Sequence, residues 1–270
     1  MRDYRKYVVT ELQACAAAFQ FMTRIPVKAQ LDYTDDLFRR STVYYPIVGL
    51  AIGGMLAAAG WLLALVLPAA PASVLTLGLW AAVTGALHLD GLMDTADGLL
   101  SHRSRERMLE IMKDSRVGAM GVVAGALLLL LKFALLAELL PRSGDSIAFL
   151  VLAPMWGRWF VVWAIAGWPY AREGQGGLGG LFAAVTRSEA GAATACAAAA
   201  GLLVLLAFGF AWWEAVVWTA GAIALAGALG YALARAMARK LGGLTGDTYG
   251  ALIELLECAV LLAAAAAANW

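Results

Sequence analysis

The chain has 270 residues, 62% of them hydrophobic and only 14% charged, with a mean hydropathy of +0.76. A soluble domain carries about a quarter charged residues and about half apolar ones, so this composition excludes a soluble globular enzyme, a disordered protein and a nucleic-acid binder. It predicts an all-α, polytopic integral membrane bundle. The net charge of +1 supplies no global field, and any recognition of negative groups must come from local clusters.

The opening Met1–Lys6 does not begin a signal peptide, because Glu11, Gln13 and Gln20 interrupt the apolar stretch that follows. Val8–Met22 reads as an amphipathic helix on the membrane surface or against the bundle. Residues 1–43 form an N-terminal segment and 44–268 a transmembrane bundle, together one domain. Spanning a bilayer core takes roughly 20 mostly apolar residues. Seven stretches qualify: Tyr44–Leu67, Val74–Leu89, Val117–Leu140, Ile147–Trp168, Ala190–Phe210, Ala215–Ala234 and Ala251–Ala268. Between them, seventeen Lys and Arg fall on one side and only Arg142 on the other. The basic side is expected to be cytoplasmic, and with it the N-terminus. The three cysteines, Cys15, Cys196 and Cys258, are far apart in Ala/Leu-rich sequence and read as buried free thiols.

The most informative stretch is His88-Leu-Asp90-Gly-Leu-Met-Asp94-Thr-Ala-Asp97-Gly98. Asp90, Asp94 and Asp97 are spaced i, i+4, i+7, which stacks three carboxylates on one stripe of a helix. At a membrane boundary they repel one another and are costly to desolvate. A divalent cation relieves both, and hard oxygen ligands suit Mg²⁺ bridged to a substrate phosphate. Gly91 and Gly98 are expected to let that phosphate approach the backbone. His88 falls about 160° from the stripe on a regular helix. It is either a catalytic neighbour beyond a helix break or a packing residue.

Basic groups follow. Arg103, Arg105 and Arg107 fit the topology bias. In Met112-Lys113-Asp114-Ser115-Arg116, Lys113 and Arg116 are candidate phosphate contacts and Asp114 a further metal ligand. Gly174–Gly180 reads as a loop, either a lid or a linker. Gly242–Gly250 holds Thr245 and Asp247, either as a helix stop and cap or as a substrate-binding turn. Glu254 and Glu257 enter the last span on one face, with Lys132 and Arg158 as candidate partners.

Three functions compete on these residues: a Mg²⁺-dependent transferase acting on a diphosphate, an ion-coupled transporter and a non-catalytic subunit. Acids clustered at one boundary beside basic loops favour the first over a midplane coupling site.

Phe21-Met-Thr23-Arg24-Ile-Pro26, Tyr45-Pro46-Ile-Val-Gly49, the aspartate motif, Met112-Lys113-Asp114-Ser115-Arg116-Val-Gly118 and Gly243-Leu-Thr245-Gly246-Asp247 together resemble the cobalamin synthase family. The resemblance runs from about Phe21 to Glu257. It implies an adenosylcobinamide-GDP ribazoletransferase, a late enzyme of vitamin B12 biosynthesis in the inner membrane that joins cobinamide phosphate to α-ribazole or its 5′-phosphate and releases GMP. It also implies Mg²⁺ on Asp90, Asp94 and Asp97, phosphate contacts from Arg24, Lys113 and Arg116, and His88 or an aspartate as proton acceptor. The partners implied are these two substrates and the bilayer, with no nucleic acid. A homo-oligomer or association with other corrinoid-pathway enzymes is compatible. A CDP-alcohol phosphotransferase shares the reaction class, but its Gly-x-x-x-Asp-x-x-x-Asp continuation is missing.

Overall fold

The computed structural model describes residues 2–141, 145–172 and 184–267. The Gly174–Gly180 loop, Arg142 and Ala268 lie outside the described residues, as do the side chains of Arg2, Arg5 and Lys6.

The described residues are helical almost throughout, with one isolated parallel bridge, Tyr170 to Leu244. In chain order the helices are α1 (Arg2–Met22), α2 (Asp35–Ser41), α3 (Tyr45–Ala64), α4 (Ala69–Thr84), α5 (Leu87–Leu99), α6 (Arg105–Ile111), α7 (Ala119–Leu139), α8 (Asp145–Gly167), α9 (Arg187–Ala207), α10 (Trp212–Leu241) and α11 (Gly246–Ala267). Six helical runs are long and apolar enough to cross a membrane, and seven if α4 and α5 make one broken span. Local chemistry sets their ends. Thr34 caps α2 with its hydroxyl on the Leu37 amide, with Asp35 and Asp36 in the first turn and Arg39 and Arg40 in the last. Thr186 and Glu189 close a capping box on α9. A left-handed Gly242 ends α10.

Six of the seven expected spans match helices to within a few residues at most ends, α10 running on to Leu241. The second is corrected. Val74–Leu89 is not one rod: α4 stops at Thr84, and α5 leaves at 88° to it. Gly85 and Ala86 are both left-handed, with φ of 63° and 55°, and two such residues in succession turn a chain out of a right-handed helix. The aspartate motif therefore sits on a helix of its own. The Arg24 side chain lies where a Cβ on Gly85 would be, and the Arg24 amide donates to the Val83 carbonyl at 2.7 Å. The N-terminal segment thus braces the corner. That segment is continuous with the bundle, since α2 runs through a 3₁₀ turn at Thr42–Tyr44 into α3.

Helix α8 is the axis of the bundle. Of its apolar stretch 89% is buried, against 17% for α10. It packs on α3 through a small-residue seam of the kind that brings membrane helices close. A Cβ on Gly49 would strike Pro154, and one on Gly53 would strike the Val151 backbone, whereas Gly54 faces open space. Exposed Leu62, Val74, Val122, Leu127 and Val217 cover the outer faces, as a lipid-facing surface requires.

The basic loops gather at one end. Lys240 Nζ donates to the Leu99 carbonyl at 3.3 Å, and across two other loops the Ala171 amide donates to the Leu244 carbonyl and the Leu244 amide to the Pro169 carbonyl, at 2.7 and 2.9 Å. Arg39 pairs with Glu189 at the start of α9.

Gly53→Leu should cost about 3 kcal/mol or more, because two backbones must separate, while Gly54→Leu should stay within about 0.5 kcal/mol. Unfolding midpoints of the two variants in detergent test this, and equal midpoints would contradict the seam.

Candidate active site at the basic end of the bundle

The site is assembled by α5 lying against the first turn of α11. A Cβ on Gly91 would stand 2.7 Å from the Asp247 carbonyl oxygen, and one on Gly250 would stand 3.0 Å from that of His88. The two glycines let the helices meet backbone to backbone. This corrects the expectation that Gly91 and Gly98 leave room for a phosphate. Gly91 is filled by the Asp247 backbone and Gly98 by the Met112 side chain.

The contact brings Asp247 to the aspartate stripe. Asp90 and Asp247 line one cavity, and Asp94 lies within electrostatic reach of Asp90, Asp97 and Asp247. Arg172 answers this charge, donating to Asp247 Oδ2 at 2.8 Å. Its Nε has no partner among the described residues. Thr245 and Thr248 cap α11 reciprocally, each amide bonded to the other's hydroxyl at 2.8 and 3.3 Å. The cap aims the first turn, and with it Asp247, at α5. The Thr245 hydroxyl also reaches Asp247 Oδ2 at 3.4 Å.

Asp97 is differently employed. Its oxygens accept from the Gly118 and Gly121 amides at 2.7 and 2.8 Å, capping the N-terminus of α7 from another helix. A Cβ on Gly118 or Gly121 would displace that carboxylate. Each oxygen keeps a free lone pair, but Asp97 is anchored while Asp90 stands exposed.

Asp114 has a local partner. It holds Arg116 in a bidentate exposed pair at 2.7 and 3.0 Å, and that guanidinium holds its carboxyl down at about 2. Lys113 and Arg116 are exposed beside it, and Arg24 is exposed at the Gly85 corner. Among the described residues no three His, Cys, Asp or Glu side chains are arranged as a ready metal cage. Mg²⁺ does not demand one, since it is commonly held by one or two carboxylates with waters and substrate phosphate. Asp90, Asp94 and Asp247 fit that role by chemistry: hard oxygen donors, mutually repelling, with Arg172 as the cation bonded among them.

Behind the site lies a buried ionic network. Lys132 Nζ bonds Glu254 and Glu257, both at 2.6 Å, and Arg158 bonds Glu257 at 2.8 Å. Lys132 also lies 3.8 Å over the Trp80 ring. The partners expected for the two glutamates are thus the ones found. Arg158 Nη2 reaches His88 Nδ1 at 3.3 Å, so His88 is tied to this network and lines the site cavity at once.

Three contributors had no expected role. Arg172 reaches the site through the Tyr170–Leu244 bridge, which no motif announces. Gly118 and Gly121 act only through Asp97.

Residues 14–265 match the family described as cobalamin-5-phosphate synthase. The chain belongs to that family. It is an enzyme, a transferase of cobalamin biosynthesis. A relative from Desulfitobacterium hafniense is 45% identical over 253 residues, covering 92% of this chain and 94% of its own. One from Roseiflexus sp. is 42% identical over 245 residues, covering 90% and 86%, and one from Brevibacillus brevis 41% over 260, covering 93% and 97%. All three are adenosylcobinamide-GDP ribazoletransferases by name. No solved structure matches the chain.

Glu257→Leu leaves Lys132 and Arg158 short of a counter-charge in the bundle interior. Breaking a buried pair costs about 3–5 kcal/mol, and a matching fall in the unfolding midpoint is expected. An unchanged midpoint would mean the network is not closed as described.

Proposed function

We propose that this chain transfers the cobinamide-phosphate group of adenosylcobinamide-GDP to α-ribazole or α-ribazole 5′-phosphate. GMP leaves, and adenosylcobalamin or its 5′-phosphate forms. The reaction is Mg²⁺-dependent and takes place at the cytoplasmic face of the inner membrane. The names of the relatives supply the two substrates. The observation that carries the chemistry is the meeting of Asp90 and Asp247 at one cavity, 157 residues apart in the chain, with Asp94 and Arg172 beside them.

An acceptor hydroxyl attacks the phosphorus that bears the cobinamide. The bond from that phosphorus to the GMP oxygen breaks, and GMP takes the electron pair. Mg²⁺ bound at the aspartates would neutralise the diphosphate and stabilise the departing phosphate oxygen. Asp90 and Asp94 would hold the cation, while Asp247, kept in place by Arg172, completes the negative rim. Asp97 serves by fixing α5 against α7. Arg172 Nε, Lys113, Arg116 and Arg24 are the cationic donors for phosphate oxygens. An aspartate of the rim accepts the hydroxyl proton. The basic loops on this end support a cytoplasmic face by the positive-inside rule, where nucleotide substrates are found.

Asp90→Ala and Asp94→Ala should each lower transfer of labelled cobinamide phosphate at least about a hundredfold, since metal stabilisation of the transition state is worth several kcal/mol. Membrane abundance should not change, and removing Mg²⁺ from the wild type should match the loss. Normal turnover by both variants would sink the metal role. A parallel assay with CDP-diacylglycerol and an alcohol should give no product, and product there would move the chain to CDP-alcohol chemistry.

A further inference from the structure

The cavity at Asp90 and Asp247 combines two carboxylates with a mostly apolar lining. Its volume is about 230 Å³, and Phe21, Met22, Val161, Ile165 and Ile253 form apolar walls beside Tyr45, whose buried hydroxyl has no partner among the described residues. His88, 3% exposed, also lines it.

His88 is chemically defined by its neighbour. A guanidinium has five N–H donors and no acceptor. The 3.3 Å contact from Arg158 Nη2 to His88 Nδ1 therefore requires a lone pair on Nδ1. The ring is neutral, and its proton sits on Nε2. Arg158 cannot turn away, because its Nη1 is held by Glu257 and by the Pro154 carbonyl at 2.8 and 3.0 Å. His88 Nε2 has no partner among the described residues. A buried N–H without an acceptor costs free energy comparable to a lost hydrogen bond, so this donor is a group awaiting a ligand atom.

We propose that this cavity binds a flat apolar heteroaromatic base and that His88 Nε2–H donates to its one unprotonated ring nitrogen. This rests on the reaction proposed above, in which the base is the dimethylbenzimidazole of the α-ribazole acceptor. It is apolar on every edge except one acceptor nitrogen. Guanine suits the site less well, since it carries polar atoms on most of its edges and most of the lining is apolar. A corrin ring is too large for it. With the base among the apolar walls, the attached ribose emerges at Asp90 and Asp247, where its hydroxyl is needed. His88 is then a binding residue that selects the acceptor, and in this tautomer its Nε2 has no lone pair with which to act as a base.

The test is equilibrium binding of two ligands to the full-length protein in detergent: α-ribazole, and its analogue with the acceptor nitrogen replaced by C–H, the corresponding dimethylindole riboside. Wild type should bind α-ribazole at least about tenfold tighter, the range a single hydrogen bond to a buried donor supports. His88→Ala should bind both ligands alike. His88→Gln, which can accept from Arg158 and still donate, should recover part of the preference. Equal binding by wild type overturns the proposal, as does an undiminished preference in His88→Ala. Should His88→Ala not fold, the wild-type pair together with His88→Gln decides. Because binding is read without turnover, failure of the transfer assay with preserved discrimination would remove the reaction and leave the base-binding site standing.

Discussion

The close approach of α5 to the first turn of α11 is what makes a site out of separated sequence. Gly91 and Gly250 remove the side chains that would hold the two helices apart, and the left-handed Gly85–Ala86 corner swings α5 across to meet α11. Asp90 and Asp247 reach one cavity only through that contact. The arrangement concentrates negative charge, and three features hold it: Arg172 on Asp247, the α7 N-terminus on Asp97, and the threonine cap that sets the direction of the α11 turn. Each is a strong hydrogen bond to a carboxylate or an orphan amide, of the kind that resists relaxation in a low-dielectric surrounding.

The ionic network below the site obeys the same constraint more severely. Lys132, Arg158, Glu254 and Glu257 are nearly or fully buried, and a lone charge there would be costly in any bilayer protein. Two cations against two anions cancel. The pairing ties α7, α8 and α11 together, and the Trp80 ring adds α4. Such networks often add little net stability over apolar packing, because desolvation offsets attraction. Their contribution here is positional. Arg158 is locked on its Glu257 side, so its other nitrogen holds the His88 ring in one tautomer.

Legibility from sequence followed the range of the interaction. Runs of about 20 apolar residues announce spans without reference to anything else, and the i, i+4, i+7 aspartates announce one helical face. The corner at Gly85–Ala86 was hidden because hydropathy is blind to backbone direction, and Ala86 gives no hint of positive φ. Gly91 and Gly98 were visible as gaps, but what fills a gap is a tertiary fact. Residue type marks Asp114 as a candidate ligand, but it does not announce the local pair that Arg116, two positions away, makes with it. Arg172 needed a loop–loop bridge that no periodicity encodes. The family motifs carried what spacing could not, since they name segments whose only relation is spatial.

A membrane bundle suits a reaction between polar substrates for a reason visible in α5 itself. The start of this short helix packs against the buried network, and its far end leads into the basic loops. His88 and Asp90 are two residues apart, yet one faces a dry ionic network and the other is exposed. In water the Arg158–His88 contact would compete with solvent and the tautomer would not be fixed. Inside the bundle no other described group bonds Nδ1, so the imidazole proton is left on Nε2, which has no partner among the described residues. The cavity beside α5 follows the same gradient, from the apolar side chains of the bundle to the carboxylates of Asp90 and Asp247.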